Sequence, residues 1–507
     1  LQTPPSATPV AAAALSPPST LITATDPPLS TPPSPPADSA SDILPADTAY
    51  LVPVGKRRHT VPRMAATYGD ARRRGHTLLA NDASAAPPDY LTTAPAWHDD
   101  SSLRPDNHGA ASLQRTTLRT VISIAAAGDY TIRRWDSTGH DHRGWRDGVE
   151  RLLETNGFAR ASSDACLYTM PLTDPARAAI VGFYPDYAFV CCPTSRAATF
   201  LRGLSDSVTA APHASVVDKA RTLDGIELDA SVAGRLTLHQ RSYIATIVAA
   251  HRTAAYDALS SRKTTSPAHA ELPFHSDEAR QGLTPQLPPG PSAKCQRLVD
   301  ALSQCSSGTR PDIAYAVGML QRCYSTPTEP IYAAALRVLK YLERFASLGL
   351  TYDDDASPLR GVSDSDWPTR RATSGYVFHR GPCAISWTSS EQSSISLSSC
   401  EAEIMAASGA ASEAIRLADL LAELGFPCVD PISVGVDNKA ARDLAYNPEH
   451  HDKTKHIPRQ YFNTRELVES HRITVPYVST TDNMADFFTK PLKADVFSAF
   501  RNGIMNV

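Results

Sequence analysis

The sequence predicts a multidomain protein of mixed α/β (α+β) class: a disordered N-terminal tail, a central stretch of strands and helices, and a C-terminal unit of mixed sheet with packed helices. Three observations predict it. Leu1 to Thr48 is dominated by Pro, Ala, Ser and Thr, a composition that buries too little apolar surface to offset the entropy of ordering. From about Leu113, β-rich runs alternate with segments of helical spacing. Between Gly361 and Lys490, four acidic residues recur at the ends of expected strands and helices: Asp364, Glu403, Asp437 and Asp486.

The chain has 507 residues, enough for two or three domains, and a net charge of −4. No global basic field marks it for nucleic acid, so any such contact must rest on local patches. Its 9 cysteines form no C-x-x-C pair, which fits a reducing compartment and argues against a disulfide scaffold or a zinc site. The best apolar run, "TVISIAAA", is too short to span a membrane. The chain opens at Leu1 without a charged and then apolar leader, and reads as a piece of a longer translation product.

Residues 49–112 read as a solvated linker whose clusters "GKRRH" and "ARRRGH" leave a nucleic-acid contact as the alternative. "SLQRTTLRTVISIAAAGDY" has helical spacing, and "TIRRWDSTG" reads as a strand and turn. "GWRDGVERLLETNGFARASSDACLYTM" reads as helix, turn and strand, and "AAIVGFYPDYAFVCC" as a hairpin. Two further strands and a helix follow through His251. Residues 291–349 are helical, with Ala335, Leu339 and Leu342 on one side.

In the C-terminal unit, "RGVSD" reads as a strand ending at Asp364, followed by the meander "SGYVFHR" and "CAISWTS". Ser398 to Leu424 is the longest helical pattern, with serines at its start and Gly425 just past its end. Glu403 shares a stripe with Ala406, Ala407, Ala410, Ala414, Leu417 and Leu421, which should face the sheet. Glu401 must then point elsewhere, as a solvated or capping residue. "ISVGVD" is a strand ending on Asp437, and "ITVPYVS" another, before a helix carrying Asp486. Clustered carboxylates repel unless cations neutralise them, and hard oxygen ligands favour Mg²⁺ or Mn²⁺. Asp366 competes locally with Asp364. Trp367 and Trp387 read as core packing, and the histidines of "PEHHDKTKH" as a solvated loop.

The segments "SDSDW", "SGYVFHRGPCAISWTSSEQSSISLSSCEAEIMAAS", "VDNKAA", "KTKHI" and "TDNMADFFTKPL" together resemble the ribonuclease H domain that ends a copia-type retrotransposon Pol polyprotein. The resemblance implies a ribonuclease H-like domain over 350–507, preceded by a degenerate reverse-transcriptase palm (113–290) and thumb or connection helices (291–349). It assigns Asp364, Glu403, Asp437 and Asp486 as catalytic metal ligands for two Mg²⁺ ions, with Mn²⁺ as alternative. The implied reaction is endonucleolytic hydrolysis of the RNA strand of an RNA–DNA hybrid, leaving a 3′-hydroxyl and a 5′-phosphate. Arg370, Arg371, Thr373, Ser374, Asn438 and His456 are the implied nucleic-acid contacts. Cellular ribonucleases H often carry a histidine just before the last aspartate; "VSTTDNMAD" has none.

The polymerase site the resemblance implies is damaged. Asp136 matches the upstream carboxylate, but the turn reads Tyr184-Pro185-Asp186-Tyr187, so a tyrosine replaces the second aspartate. Asp136, Tyr184 and Asp186 therefore form a vestigial site without RNA-directed DNA polymerase activity. The implied partners are the hybrid and other Pol or capsid components, with no membrane. The implied location is intracellular, in a cytoplasmic virus-like particle or the nucleus. The alternative, of another class, is a non-enzymatic transposon remnant that only binds nucleic acid or Pol partners.

Overall fold

Runs rich in Val, Ile, Phe and Tyr pair into three sheets in the computed structural model, which describes residues 112–137, 142–170, 179–195, 197, 214–217, 221–232, 234–259, 264–367, 371–447 and 463–507. The expected disordered tail and the basic clusters of the linker lie outside the described residues.

The first sheet holds β1 (Tyr130–Ser137), β2 (Ala159–Arg160), β3 (Leu167–Thr169), β4 (Ile180–Phe183), β5 (Tyr187–Pro193) and β6 (Ala214–Val217) in the order β2-β3-β4-β5-β1-β6. All its pairings are antiparallel. The expected hairpin is β4–β5, every residue of β4 being buried. Trp145, from the His142–Thr155 helix, meets Trp135 and Phe183 edge-on at 6.1 and 6.3 Å. The second sheet joins β7 (Thr222–Leu223), β8 (Ile226–Asp229), β9 (Leu236–His239) and β10 (Leu350–Tyr352) in the order β10-β9-β8-β7. Leu350–Tyr352 thus pairs with Leu236–His239 rather than opening the C-terminal sheet, as the expected boundary at residue 350 would have it. Its side chains are buried there, and Tyr352 donates its hydroxyl to the Ala384 carbonyl at 2.8 Å.

Between β9 and β10 in sequence, helices Pro289–Gly308, Ala314–Gln321 and Glu329–Arg344 pack together, with Ala335, Leu339 and Leu342 buried as their spacing predicts. Arg310 and Asp312, both fully buried, pair at 2.7 Å, and Tyr341 donates to Asp312 at 2.8 Å. That satisfies a charge pair which would otherwise be expensive to bury.

The third sheet contains β11 (Arg360–Asp366), β12 (Thr373–Arg380), β13 (Cys383–Glu391), β14 (Ile432–Gly435) and β15 (Ile473–Thr474) in the order β13-β12-β11-β14-β15. β13, β12 and β11 are antiparallel; β14 and β15 join parallel to β11. The helix Ser399–Glu423 packs across β11 and β12 through the predicted stripe, all of it buried. Gly425, at φ +84°, ends this helix in a left-handed conformation that glycine adopts without strain. The expected "ITVPYVS" strand is shorter, because Pro476 can accept a hydrogen bond from Val436 but has no N–H to donate.

Arg119 fastens the units to one another. Its guanidinium donates to the carbonyls of Ile385 on β13 (2.7 Å) and Ser307 and Gly308 at a helix end (2.6 and 3.1 Å), and lies 4.0 Å over the Trp387 ring. Trp387 is half-buried in that contact, while Trp367, expected in the core, is 46% exposed. β11 ends at Asp366, so Trp367 leaves the sheet and its indole N–H binds the Ser396 carbonyl at the rim.

Candidate metal centre

Asp364 comes from the interior of β11, which runs on to Asp366, and not from a strand end. Its partner across the antiparallel pairing is Gly375. A Cβ at 375 would meet Phe488 Cβ and Thr489 Cγ2, each at 2.8 Å. The missing side chain is what lets the short 3₁₀ turn Met484–Phe488, carrying Asp486, settle on the sheet beside Asp364. Asn483, fully buried, holds this turn down: its amide donates to the Ser363 carbonyl at 3.0 Å and its oxygen accepts from Ala485 N–H at 3.1 Å. Glu403 enters from the first turns of the long helix, and Asp437 from just beyond β14, where Asn438 caps the next helix through Ala441 N–H.

One carboxylate oxygen from each of Asp364, Glu403 and Asp437 lies within 4.8 Å of the other two. Burial, then Asp364 and Asp437, push the Glu403 carboxyl up to about 9, so it holds a proton where an exposed glutamate would not. Burial and then Asp364 raise Asp437 as well. Glu403 Oε2 is buried with no hydrogen-bond partner among the described residues. An orphaned acceptor in a nest of carboxylates is a donor set that fits a hard divalent cation. Asp486, outside that three-carboxylate group, is pushed up to about 7, by burial first and Asp364 next. Between them Lys490 Nζ lies 2.8 Å from Asp486 Oδ1 and 3.4 Å from Asp364 Oδ2. The Thr489 hydroxyl also donates to Asp364 Oδ2.

The local competitors separate. Asp366, half-buried and raised to about 6 mainly by burial, is not part of the three-carboxylate group. Glu401 is turned away from the cluster, as expected, but it is buried rather than solvated. It caps its helix, accepting from Leu397 N–H at 2.7 Å while Ser398 accepts from Glu401 N–H at 3.1 Å. Of the expected nucleic-acid contacts, Thr373 accepts from Arg322 and Ser374 from Gln392, so both hydroxyls serve the fold; Arg371 is exposed. Arg370 and His456 lie outside the described residues. Gly375, Asn483, Thr489 and Lys490 escaped sequence reasoning. The signals were a glycine in a β-rich run, and the Asn-x-x-Asp and Thr-Lys that frame Asp486.

The second carboxylate site lies where β1 meets β5. Asp136 stands opposite Tyr187, and Ser137 N–H donates to the Asp186 carbonyl at 3.0 Å. Arg134 pairs with Asp136 at 2.6 Å and its guanidinium covers the Tyr187 ring at 4.0 Å. Tyr187, buried, stacks on Tyr184 at 4.6 Å, and its hydroxyl accepts from Asp224 N–H. Asp186 is exposed.

The architecture is that of a mixed α/β protein. No family model matches the chain. It is 30% identical over 367 residues to the retrovirus-related Pol polyprotein from transposon RE1 of Arabidopsis thaliana, which covers 71% of this chain and 24% of that protein. The chain is thus a homologue of copia-type retrotransposon Pol polyproteins, and it spans about a quarter (24%) of the length of such a relative. Among solved structures, the N-terminal ribonuclease H domain of a Mycobacterium tuberculosis protein is similar over 28% of this chain and 96% of its own (16% identity, TM-score 0.20). A foamy viral protease–reverse transcriptase in complex with an RNA/DNA hybrid is similar over 70% of this chain and 44% of its own (11% identity, TM-score 0.38).

Proposed function

We propose that the C-terminal unit is a ribonuclease H-type endonuclease that hydrolyses the RNA strand of an RNA–DNA hybrid, and that the β1–β5 site has no polymerase activity. The observation that carries the nuclease reading is the meeting of Asp364, Glu403 and Asp437 within 4.8 Å, with Glu403 Oε2 left without a hydrogen-bond partner among the described residues. In this reading Asp364, Glu403, Asp437 and Asp486 hold divalent cations, magnesium or manganese. Such ions, when bound, activate water and stabilise the charge that develops on the phosphodiester. The chain's own part is placement. Thr489 orients Asp364, Asn483 and the gap at Gly375 set the height of Asp486, and the apolar stripe of the long helix fixes Glu403. Buried carboxylates on strands and helices lose little further freedom on reaction, which is what preorganisation requires.

The polymerase inference rests on Arg134. A polymerase of this kind needs its upstream carboxylate free to take a metal ion, and here Asp136 already holds a guanidinium at 2.6 Å. Tyr187 supplies an aromatic ring where a second carboxylate would be required. This same observation favours the second reading, a remnant that binds nucleic acid or Pol partners without cutting. The setting that goes with either reading is intracellular, in a cytoplasmic particle or the nucleus. The deciding experiment is cleavage of an end-labelled RNA–DNA hybrid by the purified chain with Mg²⁺ and with chelator, beside primer extension on an RNA template. The expected result is Mg²⁺-dependent cutting of RNA alone, with 3′-hydroxyl ends and no extension. Binding of the hybrid without cutting selects the remnant.

A further inference from the structure

We propose that Lys490 is a built-in counter-cation: it holds the Asp364–Asp486 side of the centre together without metal, and a divalent ion entering that side must displace it. The inference deepens the nuclease reading and rests on it for the identity of the ion. The two sides of the centre are neutralised differently. On the Glu403–Asp437 side no lysine or arginine lies within ion-pair distance of either carboxylate among the described residues. On the other side one ammonium bridges two acids, 2.8 Å from Asp486 Oδ1 and 3.4 Å from Asp364 Oδ2.

Geometry lets the lysine leave. Lys490 lies four residues after Asp486 at the end of a short 3₁₀ turn, and its side chain is 32% exposed, whereas that of Asp364 is 2% exposed. The stem can swing toward solvent while the acids stay fixed. A cation that binds Asp364 and Asp486 competes with the ammonium for the same oxygens, so their occupancies are linked. An ion held by Glu403 and Asp437 meets the ammonium only through Asp364, at the longer of its two contacts. The two ions should therefore bind unequally, the weaker on the Asp486 side.

The test is calorimetric titration of Mn²⁺ and Mg²⁺ into the metal-free full-length chain, with Lys490→Met and Lys490→Arg beside the wild type and thermal melts of each. Wild type should bind two ions of unequal affinity. Lys490→Met should tighten the weaker on the order of tenfold, as expected for removing one partly screened charge contact, and leave the tighter within about twofold. It should also lower the metal-free Tm and enlarge the Tm gain on adding Mg²⁺, a pair of opposite effects that mere repulsion of the ion would not give. Lys490→Arg should behave as wild type. Unchanged or weakened affinity for both ions in Lys490→Met would overturn the lysine's role while leaving the nuclease reading standing. A folded wild type that binds no divalent ion would overturn both. Should Lys490→Met fail to fold without metal, the titration of Lys490→Gln decides by the same criterion.

Discussion

At β1, Asp136 faces an arginine at 2.6 Å and a tyrosine ring beneath that arginine. At β11, Asp364 faces two carboxylates within 4.8 Å and shares one lysine with a fourth acid. The first site has its charge answered from within the fold, one cation to one anion, half-exposed. The second is left with more buried negative charge than its neighbours can neutralise, so Glu403 and Asp486 are driven toward their protonated forms. Like-charge crowding in a buried place costs stability. A fold that only had to persist would be better served by the arrangement at β1. Strongly shifted groups packed around a free acceptor are instead what a site that takes up cations requires.

The largest expected effect breaks the comparison directly. Asp364→Asn and Asp437→Asn keep side-chain volume and remove charge, so hybrid cleavage should fall on the order of a thousandfold or more. The metal-free fold should be unharmed or slightly stabilised, because a repulsion has been removed. Asp136→Asn should leave cleavage unchanged. Steady-state rates on a labelled hybrid and melting curves in chelator check all three; equal cleavage by the Asp364→Asn and wild-type proteins removes the mechanism.

Next is the geometry that supports the crowding. Gly375→Val places methyl groups where Phe488 and Thr489 already stand, since even a Cβ would come within 2.8 Å of each. The turn bearing Asp486 must rise from the sheet, and a misplacement of about 1 Å commonly costs on the order of a hundredfold in rate. A rate loss without loss of the folded circular-dichroism signal is expected. Undiminished cleavage would mean that the height of Asp486 does not matter.

Asp364 and Glu403 were legible in the sequence because each sits in a strongly patterned element, whereas Asp437 stands just past a strand and Asp486 on a short 3₁₀ turn where the pattern suggests a helix. Period-2 runs located β11 to β13, and a stripe of alanines and leucines turned Glu403 inward and Glu401 away. What was not legible depends on contacts between distant segments. Gly375 reads only as a weak strand residue until Phe488 is brought onto it, and Lys490 reads as a surface cation until Asp364 lies 3.4 Å away. Tertiary pairing also drew Leu350–Tyr352 into the second sheet, where local pattern alone could not assign it. Trp367 was misjudged because hydrophobicity says nothing about where β11 ends.

A smaller effect sharpens the electrostatic side. The folded-state value of Glu403 is raised from 4.5 to about 9, and that of Asp486 from 3.8 to about 7. Over those windows the folded chain holds protons that the unfolded chain has released, so metal-free stability must fall as pH rises. The slope should begin near pH 4 to 5 and persist toward pH 9. Mg²⁺ should flatten it at the alkaline end, because the ion takes over the proton's role. Thermal melts from pH 5 to 9 in chelator and in Mg²⁺ read this, and Glu403→Gln should reduce the chelator slope. A rising metal-free stability over that range contradicts the sign, whereas Asp136→Asn should not alter it.

The smallest effect separates two glutamates two residues apart on one helix. Glu401 is buried, yet its carboxylate is spent on the helix start, accepting from Leu397 N–H at 2.7 Å. Glutamine there keeps an acceptor oxygen and loses the charge that favours a helix N-terminus. The expected cost to stability is about 0.5–1 kcal/mol, with cleavage held within about twofold of wild type. Glu403→Gln reverses the pattern: stability without metal should rise, since the most strongly shifted carboxyl is gone, and cleavage should be nearly abolished. The helix turns by about 200° between these positions, so the two substitutions sample opposite sides of one rigid element. Equal losses of cleavage at 401 and 403 would mean that the helix start, and not the carboxylate facing Asp364, is what the reaction needs.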